Sequence, residues 1–150
     1  MEEEKLAVND WHKKQAISLF NSTWDLIDNK NRTRAQDLEM IHMAHASRYH
    51  WGQVGGPLEM ARGEWQISRV YAILNKGDSA LYHGQESLKL CTENGIGGFD
   101  LAFGYEAVAR AYKVMDRRES DIYKDYALEA AGKIEEKDDR EYTLSEINSI

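Results

Sequence analysis

The chain echoes itself at a distance of 41 residues, and this echo constrains its fold more than any other feature. Gly63, Arg69, Tyr71 and Ile73 return as Gly104, Arg110, Tyr112 and Val114, and Tyr82 returns as Tyr123. A unit of about 40 residues that recurs is a supersecondary block stacked on its own copy, because one such block cannot bury its apolar face alone. Composition identifies the block as helical. There is one proline in 150 residues, Ala, Leu, Glu, Lys and Gln are abundant, and no convincing alternating strand can be read.

Seven helical segments follow from the apolar spacing. The first spans about Asn9 to Asp28, with Ile17, Phe20, Trp24 and Ile27 on one face. Thr33 and Gln36 form a capping-box pair that starts the second helix, which runs to about Trp51. Gly55-Gly56-Pro57 breaks the pattern before a third helix from Leu58 to Asn75. Lys76-Gly77-Asp78 reads as a turn, with Asp78 as N-cap of a fourth helix ending at Asn94-Gly95. Gly95 suits the left-handed position there, with Ile96 folding back on the helix end. The remaining helices cover about Phe99–Met115, Glu119–Glu136 and Asp138–Asn148, and Glu135 to Arg140 reads as a solvated charged turn. Short connections inside consecutive pairs imply three antiparallel hairpins. With a period near 40, the expected fold is all-α, a single helical solenoid domain over residues 1–150, with the last helix capping the final hairpin.

Helices three and four resemble a degenerate tetratricopeptide repeat. Ile67, Ser68, Tyr71, Ala80 and Ser87 fall at its characteristic spacings, and Val108, Ala109 and Tyr112 repeat the first three. Trp65 stands one residue from that repeat's Trp position, and its closing Pro is missing. The runs FNSTWDLID, HASRYHWGQVGGP, ARGEWQISRVY, CTENGIGGFDLAFGYEAVARAY and EEKDDREYTLSEI also resemble a family of small uncharacterised bacterial proteins. These resemblances imply a tetratricopeptide-like superhelix and a shared site built from the quoted runs; they imply no activity.

Composition narrows the function classes. A net charge of -7 lacks the basic face that phosphate binding requires, which argues against nucleic acid. Cys91 is the sole cysteine, so no disulfide forms within the chain. The acidic start MEEEK is unlike a signal peptide, and no apolar run approaches the roughly 18 residues that span a bilayer. A cytoplasmic protein without membrane partners is expected.

The candidate binding surface comes from helical phase. Arg62, Trp65 and Arg69 share one stripe, and its image 41 residues on is Phe103, Glu106 and Arg110. Arginine forks suit carboxylate or phosphate, and aromatic rings offer stacking area. The expected function is a non-catalytic interaction module that takes a peptide, a partner protein or a small anionic ligand in a concave groove. Leu38, Ile41, His45 and Arg48 share a face of helix two, so His45, Arg48 and Trp51 are placed at the end of that groove. An ordinary Glu106–Arg110 helical pair and a core Trp65 would make the same stripe structural.

A metal-dependent enzyme centred on His42, His45 and Glu64 is the alternative. Glu39-Met40-Ile41-His42 matches one Glu-x-x-His element of ferritin-like sites, but no second copy exists, so neither metal nor cofactor is expected. Cys91 lies with Leu81, Gly84 and Leu88 and reads as a buried, inert thiol. Ser47 and Ser68 are mid-helix without an oxyanion loop. A homodimer is conceivable through the open N-terminal hairpin.

Overall fold

The computed structural model describes residues 5–150, and within them the chain is all-α. Its helices are α1 (Val8–Asp28), α2 (Arg34–Val54), α3 (Pro57–Ile73), α4 (Gly77–Glu93), α5 (Gly98–Val114), α6 (Glu119–Gly132) and α7 (Lys137–Asn148). No helix among the described residues is long and apolar enough to cross a membrane.

Local chemistry sets the helix ends. The Thr33–Gln36 capping box is formed in both directions, the Gln36 N–H donating to Thr33 Oγ1 at 3.2 Å and the Thr33 N–H to Gln36 Oε1 at 2.8 Å. Gly95 takes φ +65°, and the Ile96 N–H folds back onto the Cys91 carbonyl at 3.0 Å. The α3 and α5 ends use the same device without glycine. Asn75 and Asp116, 41 residues apart, adopt φ 60° and 55°, and Lys76 and Arg117 each donate 2.9 Å bonds to the Tyr71 and Tyr112 carbonyls. The echo thus extends into the turns.

That geometry moves the α4 start. Lys76, not Asp78, is the N-cap and offers no side-chain cap. Gly77 opens the helix where a Cβ would overlap Met115. The Glu135–Arg140 run is more than a solvated turn: Glu136 accepts from the Asp138 and Asp139 N–H groups at 3.0 and 2.6 Å, and Arg140 Nη1 donates to the Ile134 carbonyl at 2.9 Å. Glu136 therefore caps α7, and α6 stops earlier than expected, at Gly132.

The hairpins α1–α2, α3–α4 and α5–α6 are antiparallel. Ser68 Oγ donates to the Ala80 carbonyl and Ser87 Oγ to the Ala61 carbonyl, at 2.7 and 2.8 Å, so one index rises as the other falls. Ser47 and Ser120 make the same bond to the Ala16 and Ala109 carbonyls, both at 2.8 Å. Each bond satisfies a buried hydroxyl and requires small residues at the seam. This is why α1 and α2 bury Ala16, Thr23, Ala44 and Ser47 at their seam, alongside the larger Ile27 and Met40. The larger Ile17 and Leu38, expected on the inner faces, are 43% and 48% exposed.

The odd-numbered helices form one layer, with α3 touching both α1 and α5, whereas the backbones of α2, α4 and α6 stand apart and α2 reaches α4 through the rings of His45 and His83. Gly63 and Gly104 lie where the preceding hairpin crosses. A Cβ on Gly63 would sit 2.9 Å from Arg48 Cδ, and one on Gly104 would sit 3.1 Å from Leu88 Cα. The repeated glycines are close-approach points between hairpins. Helix α7 folds back on α5 and α6, placing Ile147 in the cluster of Ala102, Ala127, Ala130, Ala131 and Ile134.

Candidate functional site

The two stripes separated by 41 residues touch each other. Trp65 Nε1–H donates to Glu106 Oε1 at 2.8 Å. Arg110 Nε donates to Glu106 Oε2 at 2.7 Å, and Arg69 Nη2 reaches both oxygens at 3.3 Å. Glu106 is 0% exposed. The guanidinium carbon of Arg69 also lies 5.0 Å from the Trp65 ring centre, in cation–π range. From α7, Glu146 approaches Arg69 at 3.5 Å, while Arg110 Nη2 donates to the Glu146 carbonyl at 3.1 Å and to Ser149 Oγ at 3.0 Å. A buried carboxylate between two arginines is held by pairing, and removing a partner would leave an uncompensated charge. Arg69 Nε remains buried without a hydrogen-bond partner.

Beside this cluster opens a cavity of about 480 Å³. Its aromatic walls are Phe20 and Trp24 from α1, Trp65 from α3, Phe99 and Phe103 from α5, and Tyr142 from α7. The rings interlock, with Trp24–Trp65 at 5.7 Å, Trp65–Phe103 edge-on at 5.5 Å and Phe103–Tyr142 at 6.1 Å. Ala61 and Ser87 add to the lining, and the charged groups in it are Arg62, Asp100 and Asp139. Arg62 clasps Asp100 through Nε at 2.8 Å and Nη2 at 3.1 Å. That bond is the main reason its pKa lies above the ordinary arginine value.

Of the residues singled out from sequence, Arg62, Trp65 and Phe103 line the cavity, while Arg69, Glu106 and Arg110 form the filled layer next to it. His45, Arg48 and Trp51 lie elsewhere. Arg48 Nε pairs with Glu64 at 3.1 Å, and the other Glu64 oxygen meets His83 Nδ1 at 2.7 Å. His45 Nε2 lies 2.9 Å from the Tyr71 hydroxyl, and its ring is 5.2 Å from that of His83. This second cluster sits between α2, α3 and α4, on the side of α3 turned away from the cavity. Trp51 packs over Gly55 at the end of α2. Burial first, then His83, lowers the His45 pKa; Glu64 opposes the shift and His42 adds weakly to it.

The residues of the metal reading do not converge. His42 is exposed, and Glu64 is occupied by Arg48 and His83. Among the described residues no group of three His, Cys, Asp or Glu is arranged to hold a metal ion. Cys91 is fully buried, and desolvation pushes its thiol pKa up to about 11, which disfavours the reactive thiolate.

Sequence reasoning did not find Phe20, Trp24, Phe99, Asp100, Asp139, Tyr142 or His83 as site residues. Their partners lie far off in sequence, as Asp100 does from Arg62, at 38 residues. One signal was available: Phe20 and Trp24 share a face of α1, and the equivalent faces of α3 and α5 carry Trp65, Phe99 and Phe103. Compared with known proteins, the chain matches no family model, no curated protein and no solved structure.

Proposed function

We propose that this chain is a tetratricopeptide-like stack of three hairpins, capped by α7, that serves as a non-catalytic binding module. Its ligand is a small organic molecule enclosed in the α1–α3–α5–α7 cavity. One observation carries the reading: six aromatic side chains drawn from four helices surround an open volume of about 480 Å³, within the usual range of small-molecule sites.

The arginines argue for a different ligand charge from the one their residue type suggests. Arg62 is clasped by Asp100, and Arg69 and Arg110 are held by Glu106. An incoming anion would have to displace a carboxylate from each. The apolar walls therefore supply most of the affinity, at about 25 cal/mol per Å² of apolar surface buried.

Benzyl alcohol, a neutral aromatic probe, tests this. Titrated into the protein, it is expected to quench Trp24 and Trp65 fluorescence and to shift backbone amide NMR signals of α1, α3, α5 and α7. Tyr142 is half exposed, so Tyr142→Ala opens the wall without emptying the core. It is expected to weaken binding several-fold with an unchanged helical circular dichroism spectrum. Amide shifts centred on α2 and the His45–His83 cluster, or binding indifferent to Tyr142, would sink the reading.

A further inference from the structure

Resting on that cavity reading, we infer that the site selects an organic cation, an aromatic or alkyl group carrying a substituted ammonium. The observations concern charge and ring orientation. Trp65 and Phe103 meet edge to face at an interplanar angle of 83°, and Phe103 and Tyr142 continue the wall. The negative faces of aromatic rings that line a cavity attract a cation. Arg69 lies 5.0 Å from the Trp65 ring centre in the filled layer beside the cavity, so the other rings of the wall are the ones left to meet a ligand.

The charged groups in the lining give the same sign. Arg62 and Asp100 form a two-bond pair that is neutral as a unit. Asp139 is left over: it lines the cavity, and its side chain meets the carboxyl of Glu136, the α7 cap, rather than a cation. Just behind the wall, Arg69 and Arg110 are matched by Glu106 and Glu146. The cavity thus carries the acidic Asp139, with Glu136 beside it and no basic partner among the described residues, in a protein of net charge -7. A cation gains from Asp139 and from the rings, whereas an anion faces Asp139 and has to win Arg62 from Asp100.

Three probes of similar size separate the possibilities: benzyltrimethylammonium, benzyl alcohol and phenylacetate, titrated by calorimetry at low salt. The expected order is cation first, about tenfold tighter than the alcohol, with phenylacetate weakest. Asp139→Asn is expected to reduce the cation's advantage over benzyl alcohol about threefold. Asp100→Asn, which releases Arg62, is expected to raise phenylacetate affinity. Benzyl alcohol binding as tightly as the cation, or phenylacetate binding best, overturns the cation inference and leaves the cavity reading standing. Failure of all three probes to bind overturns both.

Discussion

The two sides of α3 carry the same kinds of residue and put them to different uses. Towards α1 and α5 it presents Arg62, Trp65 and Arg69; towards α2 and α4 it presents Glu64 and Tyr71. Both sides join arginine, carboxylate and aromatic ring. On the first, Glu106 is sealed from solvent and its partners stand against a wall of rings with open space in front. On the second, Glu64 keeps some exposure, at 13% of its side chain, and the histidines fill the room between helices. Residue type alone does not mark a binding surface. What separates the sides is whether large rings from several helices meet at an angle that leaves a gap.

The largest expected effect tests how deeply the sides differ. Glu106→Ala strands two arginines and the Trp65 N–H, and is expected to destabilise by about 3–5 kcal/mol, lowering the melting temperature by roughly 10–15 °C. Glu64→Ala is expected to lose only about 1–2 kcal/mol, because Arg48 and His83 can turn to water. Urea denaturation of both variants measures the contrast. Equal losses would mean that the two clusters are equivalent structural ion pairs.

Much of the fold was legible before any contact was known. The 41-residue echo announced the hairpins because it records a physical requirement: Gly63 and Gly104 both lie where a neighbouring hairpin comes close. The capping box at Thr33 and the Gly95 turn were likewise readable, since both depend on residues within a few positions. The α4 start was misplaced because Asn75, not Gly77, takes the left-handed conformation, and Asn and Asp signal that state more weakly than glycine does. The candidate site was legible by half. Helical phase found Arg62, Trp65 and Phe103, and α7 was expected to cap the last hairpin, but that expectation did not reveal that the cap would carry Asp139 and Tyr142 into the cavity. Phase also put His45 and Arg48 at the groove, when α2 in fact turns them to the opposite side of α3.

A gentler pair of substitutions deletes one polar atom from each side and keeps the ring. Trp65→Phe removes the N–H that reaches Glu106 at 2.8 Å and is expected to lose about 2 kcal/mol, as a hydrogen bond to a charged acceptor. Tyr71→Phe removes the hydroxyl at 2.9 Å from His45 and is expected to lose about 1 kcal/mol. Denaturant midpoints decide the order. Trp65→Phe should also weaken benzyl alcohol binding, since it reshapes the wall, and Tyr71→Phe should leave it alone.

The smallest effect concerns pH and belongs to the second side alone. Burial and His83 hold the His45 pKa below its ordinary 6.5, against the pull of Glu64 and with a minor push from His42. The folded protein therefore binds a proton at His45 less readily than the unfolded chain does. Stability from this group is fully present above pH 6.5 and is lost as pH falls from there towards the lower folded value. His50 behaves alike at the α1–α2 end, lowered by burial and then by His12, so the acid loss has two sources. His45→Gln is expected to flatten the decline in denaturant midpoint between pH 7.5 and 5.5 partially, with the His50 share remaining. The cavity lies on the other face of α3, so benzyl alcohol affinity is expected to stay constant across that range in both proteins. An affinity that followed His45 protonation would show that the two sides of α3 are mechanically coupled, and the separation drawn between them would fail.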